Sequence, residues 1–196
     1  MKTSTPQTIH LKDYTPPAYL VDTVDLDFDI GAGGTTVRAT LAVRSNPTVA
    51  VQPLVLDGDE LETLSVAVDG QKWPFSETPT QLTLSDLPDA FTLTTEVRIQ
   101  PDNNTRLSGL YRSKDGYFTQ CEAQGFRRIT WFLDRPDVMS NYTVTLHADK
   151  SVFPVLLANG NPVAQGVEAD GKHWAKWVSN LPQQDQLKVR VRKIKY

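Results

Sequence analysis

The dominant pattern along the chain is a period of two. Val24, Leu26, Phe28 and Ile30 alternate with Asp25, Asp27 and Asp29, and Val37, Ala39, Leu41 and Val43 alternate with Arg38, Thr40 and Arg44. Further on, Tyr142, Val144, Leu146 and Ala148 alternate with Thr143, Thr145 and His147. On an extended strand such spacing puts the apolar set on one face and the polar set in water, whereas a helix would scatter both around its circumference. Leu64–Val68, Phe91–Leu93 and Trp174–Trp177 continue the pattern, with the two tryptophans on opposite faces. Asp57-Gly58, Asp69-Gly70, Asp115-Gly116, Asn159-Gly160 and Asp170-Gly171 are predicted hairpin turns, because Gly takes positive φ freely and Asp or Asn tolerates it. Val66 through Trp73 reads as one complete hairpin. The only helical signal is a short turn after Pro136, through Asp137, Val138 and Met139. The expectation is an all-β, multi-sheet, sandwich-like chain with at most short helical turns, forming a single domain over 1–196.

Composition narrows this. A chain of 196 residues with 39% apolar content can bury a core without disulfides or a structural metal. No apolar run approaches a membrane span, and Met1–Pro6 lacks the apolar stretch of a signal peptide. The lone Cys121 cannot form an internal disulfide, so a cytoplasmic location without membrane contact is expected. Net charge is −3 but unevenly spread, since Lys188–Tyr196 carries five basic groups and no acid. The acidic body is unsuited to nucleic acid, which needs clustered Lys and Arg. The run from Lys188 to Arg192 reads as a charge-guarded edge strand, and about 186–196 as a basic tail.

Catalytic machinery is missing from the sequence. His10, His147 and His173 are widely separated, and there is no His-Glu-x-x-His, nucleophile elbow, phosphate loop or dinucleotide fingerprint. His147 falls on the polar face of its strand and reads as solvated, while His173 beside a turn reads as structural. One stretch departs from the alternation: Tyr117–Asp137 brings the acceptors Gln120 and Glu122, two apart, close to Arg127, Arg128, Asp134 and Arg135 among aromatics. Two readings stand side by side. Either Glu122 pairs with Arg127 or Arg128 and Asp134 with Arg135, as structural ion pairs, or Gln120 and Glu122 face a ligand.

The run Thr119-Gln120-Cys121-Glu122-Ala123, then Arg127-Arg128, then Asp134-Arg135-Pro136, resembles the signature of the M1 zinc aminopeptidases. Ala18–Asp22, Gly109-Leu110-Tyr111 and Asn159-Gly160-Asn161 with Trp174 and Trp177 extend the resemblance from about Tyr19 to about Trp177. It implies a saddle-shaped N-terminal β domain that precedes a thermolysin-like catalytic domain. The zinc ligands, the Gly-x-Met-x-Asn motif and the transition-state tyrosine belong to that following domain. The implied cofactor is therefore zinc outside this chain, none within it, and a chain inactive alone. The implied partners are the catalytic domain and the N-terminus of a peptide. Gln120 and Glu122 match the family's substrate-binding Gln and Glu, which hold the peptide amine. Departures are Cys121, where the family has a larger apolar residue, and the basic stretch after Gln183-Gln184-Asp185-Gln186, which does not continue the family pattern. A free-standing β-sandwich interaction module is the alternative.

Overall fold

A computed structural model describes residues 10–31, 33–179, 182 and 187–193. In chain order the strands are β1 (Tyr19–Gly31), β2 (Gly34–Ser45), β3 (Leu54–Asp57), β4 (Glu62–Val68), β5 (Gln71–Lys72), β6 (Ser76–Glu77), β7 (Gln81–Leu84) and β8 (Ala90–Ile99). They continue with β9 (Gly109–Ser113), β10 (Gly116–Gln120), β11 (Asn141–Asp149), β12 (Val155–Leu157), β13 (Asn161–Val167), β14 (Lys172–Val178) and β15 (Arg190–Arg192). Helical structure among the described residues is confined to three single 3-10 turns, Leu11–Asp13, Pro101–Asn103 and Phe126–Arg128. The all-β expectation is met.

The strands form three sheets: β13-β14-β11-β1-β2-β8-β4-β5, β12-β15-β10-β9, and β3-β7-β6. Within the first, β1 runs parallel to β11 and antiparallel to β2, with a register shift between Val21 and Thr23. Alternation sets the buried face. Val24, Leu26, Phe28 and Ile30 are 2% exposed or less, while Asp25 and Asp29 of the same strand face water. Burying a side chain such as Phe28 contributes about 1.5–3 kcal/mol. The core extends from this sheet through Leu54, Leu56, Leu82 and Leu84 of the three-stranded sheet to Trp131 and Phe132. Thr95 and Thr130, both fully buried, share a hydrogen bond at 3.3 Å, and Trp131 Nε1 donates to Thr63 Oγ1 at 2.8 Å.

The turn expectations divide. Asp69-Gly70 closes β4 on β5 with φ of 49° and 76°, the two left-handed residues of a type I′ turn. Asp170-Gly171 lies in the β13–β14 connection as expected. In the β9–β10 hairpin the turn is Lys114-Asp115, one residue earlier than expected, and Gly116 already pairs with Ser113. Asp57-Gly58 and Asn159-Gly160 are not hairpins, because each leads from one sheet to another. At Gly58 packing replaces turn geometry as the reason for glycine: a Cβ would lie 2.1 Å from the Trp131 ring. After Pro136 there is a turn but no helix.

Two further expectations are corrected. The segment Lys188–Arg192 is not an edge strand, since β15 lies between β12 and β10. Leu187, Val189 and Val191 are 2% exposed or less, so its apolar alternation wins a place inside a sheet despite the charges between. His147 is not simply solvated. Its Nδ1 lies 2.7 Å from Glu168 and its Nε2 3.3 Å from Asp27, which tie β11 to β1 and to the end of β13. His173 is structural as expected, donating from Nε2 to the Phe153 carbonyl at 2.8 Å.

Candidate functional site

Gln120 ends β10, and the chain then turns sharply. Gly125 N–H donates to the Cys121 carbonyl at 2.7 Å, and a Cβ on Gly125 would lie 2.6 Å from the Gln120 carbonyl. Only glycine lets the loop fold back this tightly on the strand end. The Glu122–Ala123 peptide bond within the loop is cis. Cys121 points inward and is 4% exposed, as expected for a small buried thiol, whereas Gln120 and Glu122 are exposed. Gln120 Nε2 donates to the Glu122 main-chain carbonyl at 3.3 Å, so the two acceptor residues are linked.

The loop is anchored from below. Phe126 is fully buried and meets Phe132 edge-on at 4.8 Å and Tyr142 at 6.0 Å. Arg127 donates from its backbone N–H and from Nε to the buried Asp134 carboxylate, at 3.2 and 2.6 Å, and lies 3.6 Å from Asp57. Burial pushes the Asp57 carboxyl up from its usual range, against the nearby Arg127. Arg128, 7% exposed, reaches Asp59 at 2.5 Å, Glu60 at 2.6 Å and the Ser108 carbonyl at 3.1 Å. Arg135 closes on Asp137 through two bonds of 2.9 and 2.7 Å. These bonds hold the Asp137 carboxyl below the usual carboxylate range.

This geometry replaces the ion pairs that sequence proximity suggested. Arg127 and Arg128 are taken by Asp57, Asp59, Glu60 and Asp134, and Arg135 pairs with Asp137 instead of Asp134. Glu122 has no ion pair among the described residues. Glu122 and Gln120 instead line an open cavity of about 300 Å³, whose wall includes Tyr111, Phe118, Lys188 and Arg190. Gln120 and Glu122 are thus brought together as expected. Lys188 and Arg190 were missed. The alternation of Leu187, Val189 and Val191 with Lys188, Arg190 and Arg192 signals a one-sided strand. Nothing local says that its neighbour is β10.

The mixed, nearly all-β architecture and the Gln120–Glu122 loop define a class, and family comparison gives it a name. The chain belongs to the Peptidase M1 N-terminal domain family, which matches residues 15–183. Aminopeptidase N of Caulobacter vibrioides is 46% identical over 190 residues, and that of Escherichia coli 44% over 182. These matches cover 95% and 92% of this chain but 22% and 21% of the relatives, so the chain spans about a fifth of their length. Among solved structures, Legionella pneumophila aminopeptidase A in complex with aspartic acid superposes with a TM-score of 0.89 at 27% identity, over 94% of this chain and 22% of that one. An M1 zinc metallopeptidase from Deinococcus radiodurans shares the fold, with a TM-score of 0.78 at 18% identity, over 91% of this chain and 43% of that one.

Among the described residues no group of three or more His, Cys, Asp or Glu could hold a metal ion. His147 is engaged by two carboxylates and His173 by a main-chain carbonyl, so these residues do not fit zinc. No described helix is long and apolar enough to cross a membrane.

Proposed function

We propose that this chain is the substrate-anchoring domain of a zinc-dependent aminopeptidase, in which Glu122 and Gln120 hold the free amino terminus of a peptide. The observation that carries the reading is an exposed Glu122 that lines a polar cavity and has no ion pair among the described residues, on a loop whose arginines are all otherwise engaged. A carboxylate in such a cleft binds an ammonium by a charge-assisted hydrogen bond. Gln120 adds a carbonyl acceptor without a second negative charge. Fixing the terminus fixes its distance to the scissile bond, so residues are removed one at a time. On this reading zinc and the bond-breaking groups belong to a catalytic domain outside these 196 residues, and that domain is the main partner. The lone buried Cys121 suits a cytoplasmic protein.

The test is a chimera in which residues 15–183 replace the matching segment of Escherichia coli aminopeptidase N. The chimera should cleave an alanyl anilide, and Glu122→Gln in it should lower kcat/KM by about 10²-fold or more, equivalent to roughly 3 kcal/mol. An active chimera whose Glu122→Gln variant keeps its kcat/KM would overturn the anchor role.

A further inference from the structure

The walls of the site differ in charge. Leu187, Val189 and Val191 point into the core, so strand geometry sends Lys188, Arg190 and Arg192 to the opposite face. That face is the outer surface of the four-stranded sheet. Arg190 pairs across with Phe118, which pairs on its other side with Tyr111. Residues directly opposite on neighbouring strands share a face, so Arg190 stands beside the tilted Tyr111–Phe118 pair, whose centroids are 6.4 Å apart. Thr119 N–H donates to the Val189 carbonyl at 3.2 Å and Val189 N–H to Thr119 Oγ1 at 2.7 Å, which continues the contact and brings Lys188 alongside Gln120. Neither Lys188 nor Arg190 forms an ion pair among the described residues. Both line the same cavity as Glu122.

The cavity therefore offers one carboxylate and, beside an aromatic pair, two cations, none of them in an ion pair among the described residues. We infer that it selects peptides whose first residue is acidic: the α-ammonium on Glu122 and Gln120, the side-chain carboxylate of an N-terminal Asp or Glu on Lys188 and Arg190. The inference rests on the amine-anchor reading and deepens it. In a peptide the backbone beyond the first residue carries no charge, so the first side chain is the nearest anion to the terminus. A free amino acid offers an α-carboxylate instead, and the two sources of negative charge are separable by capping.

The experiment titrates the full ¹⁵N-labelled chain with aspartic acid α-amide, asparagine α-amide, N-acetylaspartic acid α-amide and free alanine, following amide shifts at low ionic strength. Aspartic acid α-amide is expected to bind at least about five-fold more tightly than its uncharged asparagine isostere and more tightly than alanine, and the acetylated compound to bind least. Lys188→Gln with Arg190→Gln should erase the Asp-over-Asn preference. Both side chains are exposed, and matching thermal melts establish that the variant is folded. Equal affinity for the Asp and Asn amides, both weakened by Glu122→Gln, would overturn the acidic preference and leave the anchor standing. Affinities indifferent to Glu122→Gln would overturn the anchor, and the inference with it. Alanine binding tighter than aspartic acid α-amide would overturn the inference in favour of a free amino acid site.

Discussion

The eight-stranded sheet and the four-stranded sheet are built on the same alternation but differ in how they are held. In the large sheet β1 and β2 pair through twelve positions, and Val24, Leu26, Phe28 and Ile30 of β1 each have a further partner on β11. In the small sheet β10 pairs with β15 through three positions, and the contact joins residues 70 apart in sequence. Only three paired positions offset the entropy of closing that span, against eight for the longer β1–β11 span, so the small sheet is the more easily opened of the two. The candidate site lies on its outer face. Stability is concentrated in one region and the proposed recognition in the other, where a short interior strand positions Lys188 and Arg190, which form no ion pair among the described residues.

That contrast can be broken by substitution. The largest loss of stability is expected from Phe28→Ala at the centre of the large sheet, about 3–5 kcal/mol, because a fully buried ring leaves a cavity. Denaturant midpoints measure it, and a loss below about 1 kcal/mol would mean that the large sheet is not the core. Gly116→Ala comes next and acts on the small sheet. Its Cβ would lie 2.3 Å from the Val191 backbone carbonyl, so β15 must shift. The expected cost is about 1–3 kcal/mol. Hydrogen exchange should speed up in β10 and β15 while β1 and β2 stay protected.

A smaller effect separates the site loop from both sheets through pH. Arg135 and then Tyr14 hydrogen-bond the Asp137 carboxylate and lower its pKa in the folded state. A lowered folded pKa gives stability that is fully present above the unfolded value and is lost as pH falls through the folded one. Asp137→Asn should therefore be less stable than the parent at neutral pH, with the difference closing below about pH 4. Because the pair is partly solvated, the difference at neutral pH should stay under about 1 kcal/mol. Thermal melts across pH 2–7 read this, and a difference that widened in acid would contradict it. The smallest effect is expected from Arg44→Ala, a few tenths of a kcal/mol, since its bond to Asp22 is half exposed on both sides.

Sequence reasoning reached the large sheet more fully than the small one, for a physical reason. Period-two runs such as Val24–Ile30 state which face is buried, and that information is local. Pairing partners are not local. The parallel contact of β1 with β11 and the insertion of β15 between β12 and β10 depend on residues far apart. The charged face of Lys188–Arg192 suggested an edge, but the buried face of Leu187, Val189 and Val191 decided its place. Within the candidate site, spacing put Gln120 and Glu122 close together, and the family resemblance singled them out for a peptide amine. The fate of the arginines was not. Asp59 and Glu60, nearly 70 residues before Arg128, take the guanidinium that sequence proximity would assign to Glu122.

The central claim is that Glu122 binds the free amine of a peptide. Its most direct test is a paired shift titration of the 196-residue chain with alanine amide and N-acetylalanine amide, repeated on Glu122→Gln. The account expects alanine amide to move the amides of Phe118, Gln120 and Glu122, the acetylated compound to move them far less, and the variant to lose the distinction. Equal response to both compounds, or a Glu122→Gln chain that still prefers the free amine, would contradict it.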